Sequence, residues 1–213
     1  MWTPPAPLAV STTPPVGRRY YWRVRACRGA RCSGWSPVRY IDLGRASQDA
    51  NGDGYSDVVV GADFQRRGAT DEGNAFVFYG SATGIPDMPS VTLDNPANQA
   101  GGRFGVAVAW VGDLDADGFA DLVVGAHEQH GAVADAGAAF VYYGSAAGIS
   151  ATPSATLDNP TPHVGDAFGA SVAAAGDLDA DGFADLAGGA PLWDGAAADE
   201  GRVFVYHGAA AGI

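Results

Sequence analysis

Hydrophobic residues in this chain come in short runs, with Gly, Asp, Asn and Pro between them. Short apolar runs bounded by turn formers read as β-strands rather than helices. The middle of the chain shows this best. The pattern predicts strands over Phe104 to Val111, Asp121 to Ala126, Ala138 to Tyr143 and Ser154 to Leu157. Near the start, Tyr20, Tyr21, Trp22 and Val24 are interleaved with Arg23 and Arg25, which predicts a half-buried strand. A second is predicted over Val38 to Leu43, after the turn-rich stretch Ser33 to Pro37. No segment sustains a period of about 3.6 residues, so almost no helix is expected. No apolar run approaches the roughly 18 residues of a membrane-spanning helix, so no membrane insertion is expected.

The strand pattern repeats. Asp49, Asp113 and Asp177 each open an Asp-rich loop, and they stand 64 residues apart. Gly80, Gly144 and Gly208 close strand-like runs at the same interval, and TLDNP occurs at 92–96 and 156–160. Aligning 104–149 with 168–213 gives 30 identities in 46 positions. Self-similarity on this scale marks a repeat architecture. Four short antiparallel strands per unit, joined by Gly-rich turns, describe a propeller blade. The fold class expected is therefore all-β. It is a partial β-propeller of about three four-stranded antiparallel blades with calcium-binding loops, preceded by a short β-hairpin remnant. The expected domains are 1–45 and 46–213, with units at about 40–103, 104–167 and 168–213. The third unit stops at Ile213, before its fourth strand.

Charge sharpens the picture. All twelve basic residues are Arg, and Asp outnumbers Glu by 21 to 3. Residues 1–45 hold eight Arg and one acid, whereas 46–213 hold four Arg and 23 acids. So acidic a segment repels nucleic acid and anionic lipid. Residues 1–17 carry five Pro and no continuous apolar core, so they do not read as an export signal.

The acids are concentrated in the loops DANGDGYSD (49–57), DLDADGFAD (113–121) and DLDADGFAD (177–185). Oxygen-bearing side chains fall at loop positions 1, 3, 5 and 9, with Gly at position 6. Alternate side chains of a tightly curled loop can converge on one centre, and Gly at position 6 permits the sharp turn. The main-chain carbonyl at position 7 can join them. The candidate ligands are Asp49, Asn51, Asp53, Tyr55 and Asp57; Asp113, Asp115, Asp117, Phe119 and Asp121; and Asp177, Asp179, Asp181, Phe183 and Asp185.

Two carboxylates about 4 Å apart repel by about 4 kcal/mol at an effective dielectric of 20. Several in one loop call for a cation. Oxygen donors alone exclude the softer metals, and a flexible set of six to eight oxygens suits Ca²⁺ over Mg²⁺. Three structural Ca²⁺ ions are expected. The first site, with Asn51 in place of an Asp, is expected to be the weakest. An EF-hand would need Glu at loop position 12, where the chain has Val60, Val124 and Gly188.

Phe104-Gly105 and Phe168-Gly169, followed by Gly125-Ala126 and Gly189-Ala190-Pro191, resemble FG-GAP repeats, the blades of the integrin alpha-chain β-propeller and of many bacterial secreted proteins. The first unit departs, with Tyr40-Ile41 where Phe-Gly is expected, and Asp63 and His127 replace the Pro. The resemblance implies an extracellular or cell-surface location and acid loops that join the first and second strands and stiffen the blade. It also implies ligand binding on the opposite face. The loops 63–70, 127–134 and 191–198 would lie there with 97–103 and 161–167, offering Arg66, Arg67, His127, Glu128, His130, His163 and Trp193 to a protein or glycan, or merely variable loops. The segment YYWRVRA…SGWSPV resembles the last two strands of a fibronectin type III domain. Cys27 and Cys32 flank a hairpin tip, which favours a disulfide over two free thiols.

Phe104, Phe168, Phe76/Val77, Phe140/Val141 and Phe204/Val205 are expected to pack between blades. Asp71, Asp135 and Asp199 are expected to form turns. No nucleophile motif or phosphate-binding loop occurs, so no enzyme is expected. The function expected is a non-catalytic, calcium-stabilised adhesion or interaction module. The alternatives are a carbohydrate-binding propeller, with Trp193 stacking on sugars, or an accessory domain of a secreted hydrolase. Three blades leave two open sheet edges, so further blades of a longer chain or self-association are expected.

Overall fold

The computed structural model describes residues 18–29, 31–37, 39–43, 47–131 and 133–213. Among them there are strands and turns and no helix. At the N-terminal end β1 (Arg18–Trp22) pairs antiparallel with β4 (Arg39–Leu43), Tyr20 opposite Ile41. Val38, the expected start of the later strand, lies outside the described residues. Between these strands β2 (Cys27–Arg28) and β3 (Arg31–Cys32) form a hairpin that sets Cys27 opposite Cys32, and the two are joined by a disulfide. The Trp35 ring lies beneath the guanidinium groups of Arg23 and Arg25, at 4.6 and 4.5 Å.

Three further sheets follow the repeat. The first contains β5 (Val58–Ala62), β6 (Asn74–Phe78) and β7 (Val91–Asp94). The second contains β8 (Phe104–Gly112), β9 (Asp121–Ala126), β10 (Ala138–Tyr142) and β11 (Ala155–Asp158), paired in sequence order. The third contains β12 (Ser171–Gly176), β13 (Asp185–Ala190) and β14 (Arg202–Tyr206). All pairings within these sheets are antiparallel. The second unit is thus a four-stranded blade, while the first and third have three strands. In the first unit the Tyr40-Ile41 segment pairs with β1 instead of opening the blade beside β5.

The core lies between blades. Alternation along β9 and β10 sends successive side chains into opposite seams. Leu122, Val124, Ala138, Phe140 and Tyr142 pack with Ala75, Val77 and Leu93 of the first blade. Val123, Ala139 and Val141 pack with Phe168, Leu186 and Ala190 of the third. Both faces of the middle blade are therefore buried, and its strands read as unbroken apolar runs. One aromatic anchors each of the second and third blades: the Phe104 ring lies 5.6 Å from Phe140, and Phe168 lies 5.7 Å from Phe204.

The glycines of the repeat motif face one another across these seams. A Cβ on Gly61 would strike the carbonyl oxygen of Gly105, and one on Gly125 would strike that of Gly169. Gly105 and Gly169 themselves adopt φ of 88° and 84°. The seam needs glycine on both sides because two backbones touch there. Tyr40-Ile41 offers no such glycine.

The expected inter-blade packing is found for Phe104, Phe168, Val77, Phe140 and Val141, all buried. Val205 is the correction: it is 46% exposed, because it lies on the outer face of the third blade, which nothing among the described residues covers. Asp71, Asp135 and Asp199 sit in turns at φ of 53°, 50° and 53°, as the turn reading expects.

Candidate metal centres in the acidic loops

Each acidic loop runs into the second strand of its repeat, and the ninth loop residue stands just before that strand (Asp57) or opens it (Asp121, Asp185). The three loops share one wiring. The carboxylate at position 9 accepts two main-chain N–H groups, one from loop position 2 and one from the glycine that ends the next strand. Asp57 bonds Ala50 and Gly80 at 2.8 and 2.9 Å, Asp121 bonds Leu114 and Gly144 at 2.6 and 2.9 Å, and Asp185 bonds Leu178 and Gly208 at 2.7 and 3.0 Å. The carboxylate at position 1 accepts the N–H of position 6: Gly54 to Asp49, Gly118 to Asp113 and Gly182 to Asp177, at 2.9, 2.9 and 3.0 Å. Position 5 accepts the N–H of position 7 in every loop. Position 4 takes a left-handed conformation, as Gly52, Ala116 and Ala180. A bare carboxylate row thus curls into a cup whose rim is its own acids.

Carboxyl oxygens converge inside these cups. One oxygen each from Asp113, Asp115 and Asp121 lie within 4.8 Å of one another, as do those of Asp177, Asp179 and Asp181. A further group joins Asp179, Asp185 and the imidazole of His207. In the first loop Asn51 donates to Asp53 at 3.1 Å, so its amide is directed within the loop. Crowding leaves an electrostatic mark. Burial pushes the Asp121 carboxyl up to about 8, against its two N–H donors and with help from Asp115 and Asp113. Burial also raises Asp57, aided by Asp49 and Asp53. At Asp185 burial pulls the same way, but the N–H donors of Leu178 and Gly208 together with His207 outweigh it and lower the carboxyl. Negative charge packed this closely is the condition a hard divalent ion relieves, and the oxygen donors present fit one.

The loops are stitched to their neighbours. The carbonyl of Asp49 accepts the N–H of Ala120, and that of Asp113 accepts the N–H of Ala184, both at 3.0 Å. Ser145 donates to Ala50 at 3.1 Å, and the Phe119 ring lies against Gly52. Tyr79 and Tyr143 reach across with their hydroxyls, which accept from Ile149 and Ile213 at 2.6 and 2.8 Å. Order in one loop is passed to the next blade.

The other set of expected functional residues gathers in the loops that follow the second strands. Gln99 and Gln129 exchange a 2.6 Å bond, Asn95 donates to Gln129, and Gln99 donates to the Glu128 carbonyl. Arg103 stacks 3.8 Å over Phe64 and approaches Glu128 at 3.6 Å. Arg66 pairs with Asp71 and Arg67 approaches Asp94. His127 approaches Glu128, whereas His130 accepts the N–H of Asp135, so the two histidines serve separate partners. Trp193 is 8% exposed, beneath the Arg202 guanidinium at 3.8 Å and donating to Thr161. This corrects the expectation of an open stacking face: the indole fills the seam between blades.

Two residues were missed by sequence reasoning. Glu72 is buried and gathers the N–H groups of Arg67, Gly68 and Ala69. His207 stands 64 positions after Tyr143, which itself stands 64 after Tyr79. The break in that column was the available signal.

A chain of antiparallel blades, each with an acid cup at one end and a glycine-to-glycine seam, defines a propeller-repeat protein. The FG-GAP repeat profile matches residues 46–78, 104–142 and 168–206, and the chain belongs to that family. It is 35% identical to human integrin alpha-IIb over 176 residues, 80% of this chain and 16% of that protein. It is 36% identical to integrin alpha-PS5 of Drosophila melanogaster over 157 residues, 71% of this chain and 15% of that protein. It is 35% identical to the phosphatidylinositol-glycan-specific phospholipase D of Rattus norvegicus over 181 residues, 80% of this chain and 21% of that protein. The chain thus spans only about a fifth or less of these relatives. No described helix is long and apolar enough to cross a membrane.

Proposed function

We propose that the chain is a non-catalytic, calcium-stabilised interaction module of an extracellular or cell-surface protein. The observation that carries this is the shared wiring of three acid cups, the first two of them bonded to the blade that follows. In this reading the side chains at loop positions 1, 3, 5 and 9 hold Ca²⁺, one ion per loop, with the position-7 carbonyls of Tyr55, Phe119 and Phe183 completing the shell. The ion neutralises the cup and locks the seam; it performs no chemistry. A protein ligand would meet the face carrying the Gln99–Gln129 network, and further blades or a second copy would cover the exposed end faces. The similarity to integrin alpha chains supports the adhesive role. The β1–β4 pair fits the end of a fibronectin type III domain ahead of the repeats.

Calorimetric titration with CaCl₂, paired with melting in EGTA, tests the reading. At calcium one to ten times Kd, each site adds about 0.4–1.4 kcal/mol. Absence of binding heat and an unchanged melting temperature would refute it.

A second reading is favoured by the phospholipase D relative: the repeats would be an accessory domain of a secreted hydrolase. Assay of the whole protein with and without the repeats separates the two. Loss of hydrolysis on a membrane-presented substrate, but not on a soluble one, supports the accessory role.

A further inference from the structure

The third acid loop differs from the other two by one residue outside it. Where the first and second blades have Tyr79 and Tyr143, the third has His207. Both tyrosine hydroxyls are committed to an N–H of the following blade. The imidazole instead turns to its own loop: Nδ1 lies 3.3 Å from Asp185 Oδ1 and 3.6 Å from Asp179 Oδ2. These three ligand atoms form a compact group, with Asp185 fully buried and His207 half exposed.

The spacing has a chemical meaning. Two ligand atoms bound about 2.0–2.1 Å from one tetrahedral ion stand about 3.4 Å apart. The His207–Asp185 and His207–Asp179 distances bracket that value. Asp185 Oδ1 accepts the N–H of Gly208, and its second lone pair faces His207 Nδ1, so a metal held there takes the place of the imidazole proton between the two atoms. An imidazole nitrogen beside two carboxylates suits zinc and its first-row neighbours, whereas calcium takes oxygen.

We propose that the third loop is a mixed nitrogen–oxygen site selective for a divalent transition metal such as Zn²⁺. His207 Nδ1, Asp185 and Asp179 are its ligands, while the first and second loops remain all-oxygen sites. This rests on the reading of the loops as cation sites and adds that the third has a different preference. Neither wild-type residue at the equivalent positions, Tyr79 or Tyr143, supplies such a nitrogen. The device is a seam whose stiffness responds to a second metal.

The test uses the full chain, stripped with chelator, and its variants His207→Tyr and His207→Gln. Each is titrated with Zn²⁺ by calorimetry, with Co²⁺ by visible absorption, and with Ca²⁺ alone. Expected is one Zn²⁺ or Co²⁺ equivalent bound at least tenfold more tightly than Ca²⁺ at that loop, as nitrogen ligation predicts. Both variants should lose that preference and the cobalt ligand-field band while keeping calcium binding at the other loops. Zn²⁺ affinity and Co²⁺ spectrum unchanged in both variants would overturn the proposal. So would an imidazole ¹⁵N resonance of wild-type His207 unmoved by Zn²⁺, a readout that does not depend on a variant folding. Failure of the underlying reading looks different: no calcium heat in any of the three proteins, whatever zinc does.

Discussion

At the scale of single residues, the acids of each loop divide into two kinds of work. Asp121 is fully buried and holds the N–H groups of Leu114 and Gly144, closing the cup at both ends. Asp115 lies nearer the rim and accepts the N–H of Asp117. Asp121→Ala therefore strands two donors and is expected to cost about 1–3 kcal/mol even in EGTA. Asp115→Ala is expected to leave melting in EGTA unchanged and to remove only the calcium-dependent increment. Scanning calorimetry of both variants with and without calcium checks the division. A second residue-scale outcome concerns Glu72. Burial raises its carboxyl, but the N–H donors of Gly68, Ala69 and Arg67 outweigh burial and hold it below the ordinary glutamate value. A carboxyl lowered in the folded state adds stability above its unfolded pKa and loses it as pH falls toward the folded value. Wild type should thus exceed Glu72→Gln by about 1 kcal/mol at neutral pH. The difference should shrink as pH falls through about 4, in urea titrations across pH. Asp loops at fixed positions were legible as acid cups because charge and glycine spacing are written in the chain. Glu72 was not, since its partners are main-chain groups of a loop whose path only folding sets.

At the scale of elements, the repeat motif acquires a cause. Gly125 of β9 faces Gly169 ahead of β12, and the same contact joins Gly61 to Gly105. Gly125→Ala must push two backbones apart and is expected to cost about 2–3 kcal/mol, with earlier unfolding of the third blade. Hydrogen exchange resolved by strand checks which blade opens first. The strands of the middle unit could be read nearly to the residue, because turn formers bound them and both faces are apolar. The fate of Tyr40–Ile41 could not. Its β-branched and aromatic residues fit any strand, and it pairs with β1 rather than β5, a choice between partners that only folding brings within reach. A related exchange hides in the TLDNP turns. Asn95 finds its partner in Gln129, whereas Asn159 finds Asp166 at 2.6 Å. In the second seam Trp193 stands where Gln129 does, and Asp166 where Gly102 does. The two changes compensate in space while lying far apart in the chain.

At the scale of the whole molecule, the end faces differ from the middle. Val58 and Val60 are 41% and 47% exposed, yet Leu122 and Val124, one repeat later, are fully buried against the first blade. Val203 and Val205 are exposed on the third blade, while Ala139 and Val141 are buried at the corresponding seam. Such faces bury apolar area when covered. The isolated chain is expected to associate with rising concentration, and Val203→Glu with Val205→Glu to reduce that association. Sedimentation velocity across a concentration series checks it.

By itself, the order of residues determined an all-β repeat with a 64-residue period and the acid cups, because alternation, turn formers and charge spacing act within a few residues of one another. Tertiary structure alone decided which face of each strand is covered, why the motif glycines must lack side chains, that Trp193 is filler rather than a platform, and that His207 turns toward Asp185. Those outcomes depend on groups brought together from separate blades or from opposite ends of one blade. No local pattern records which of them will touch.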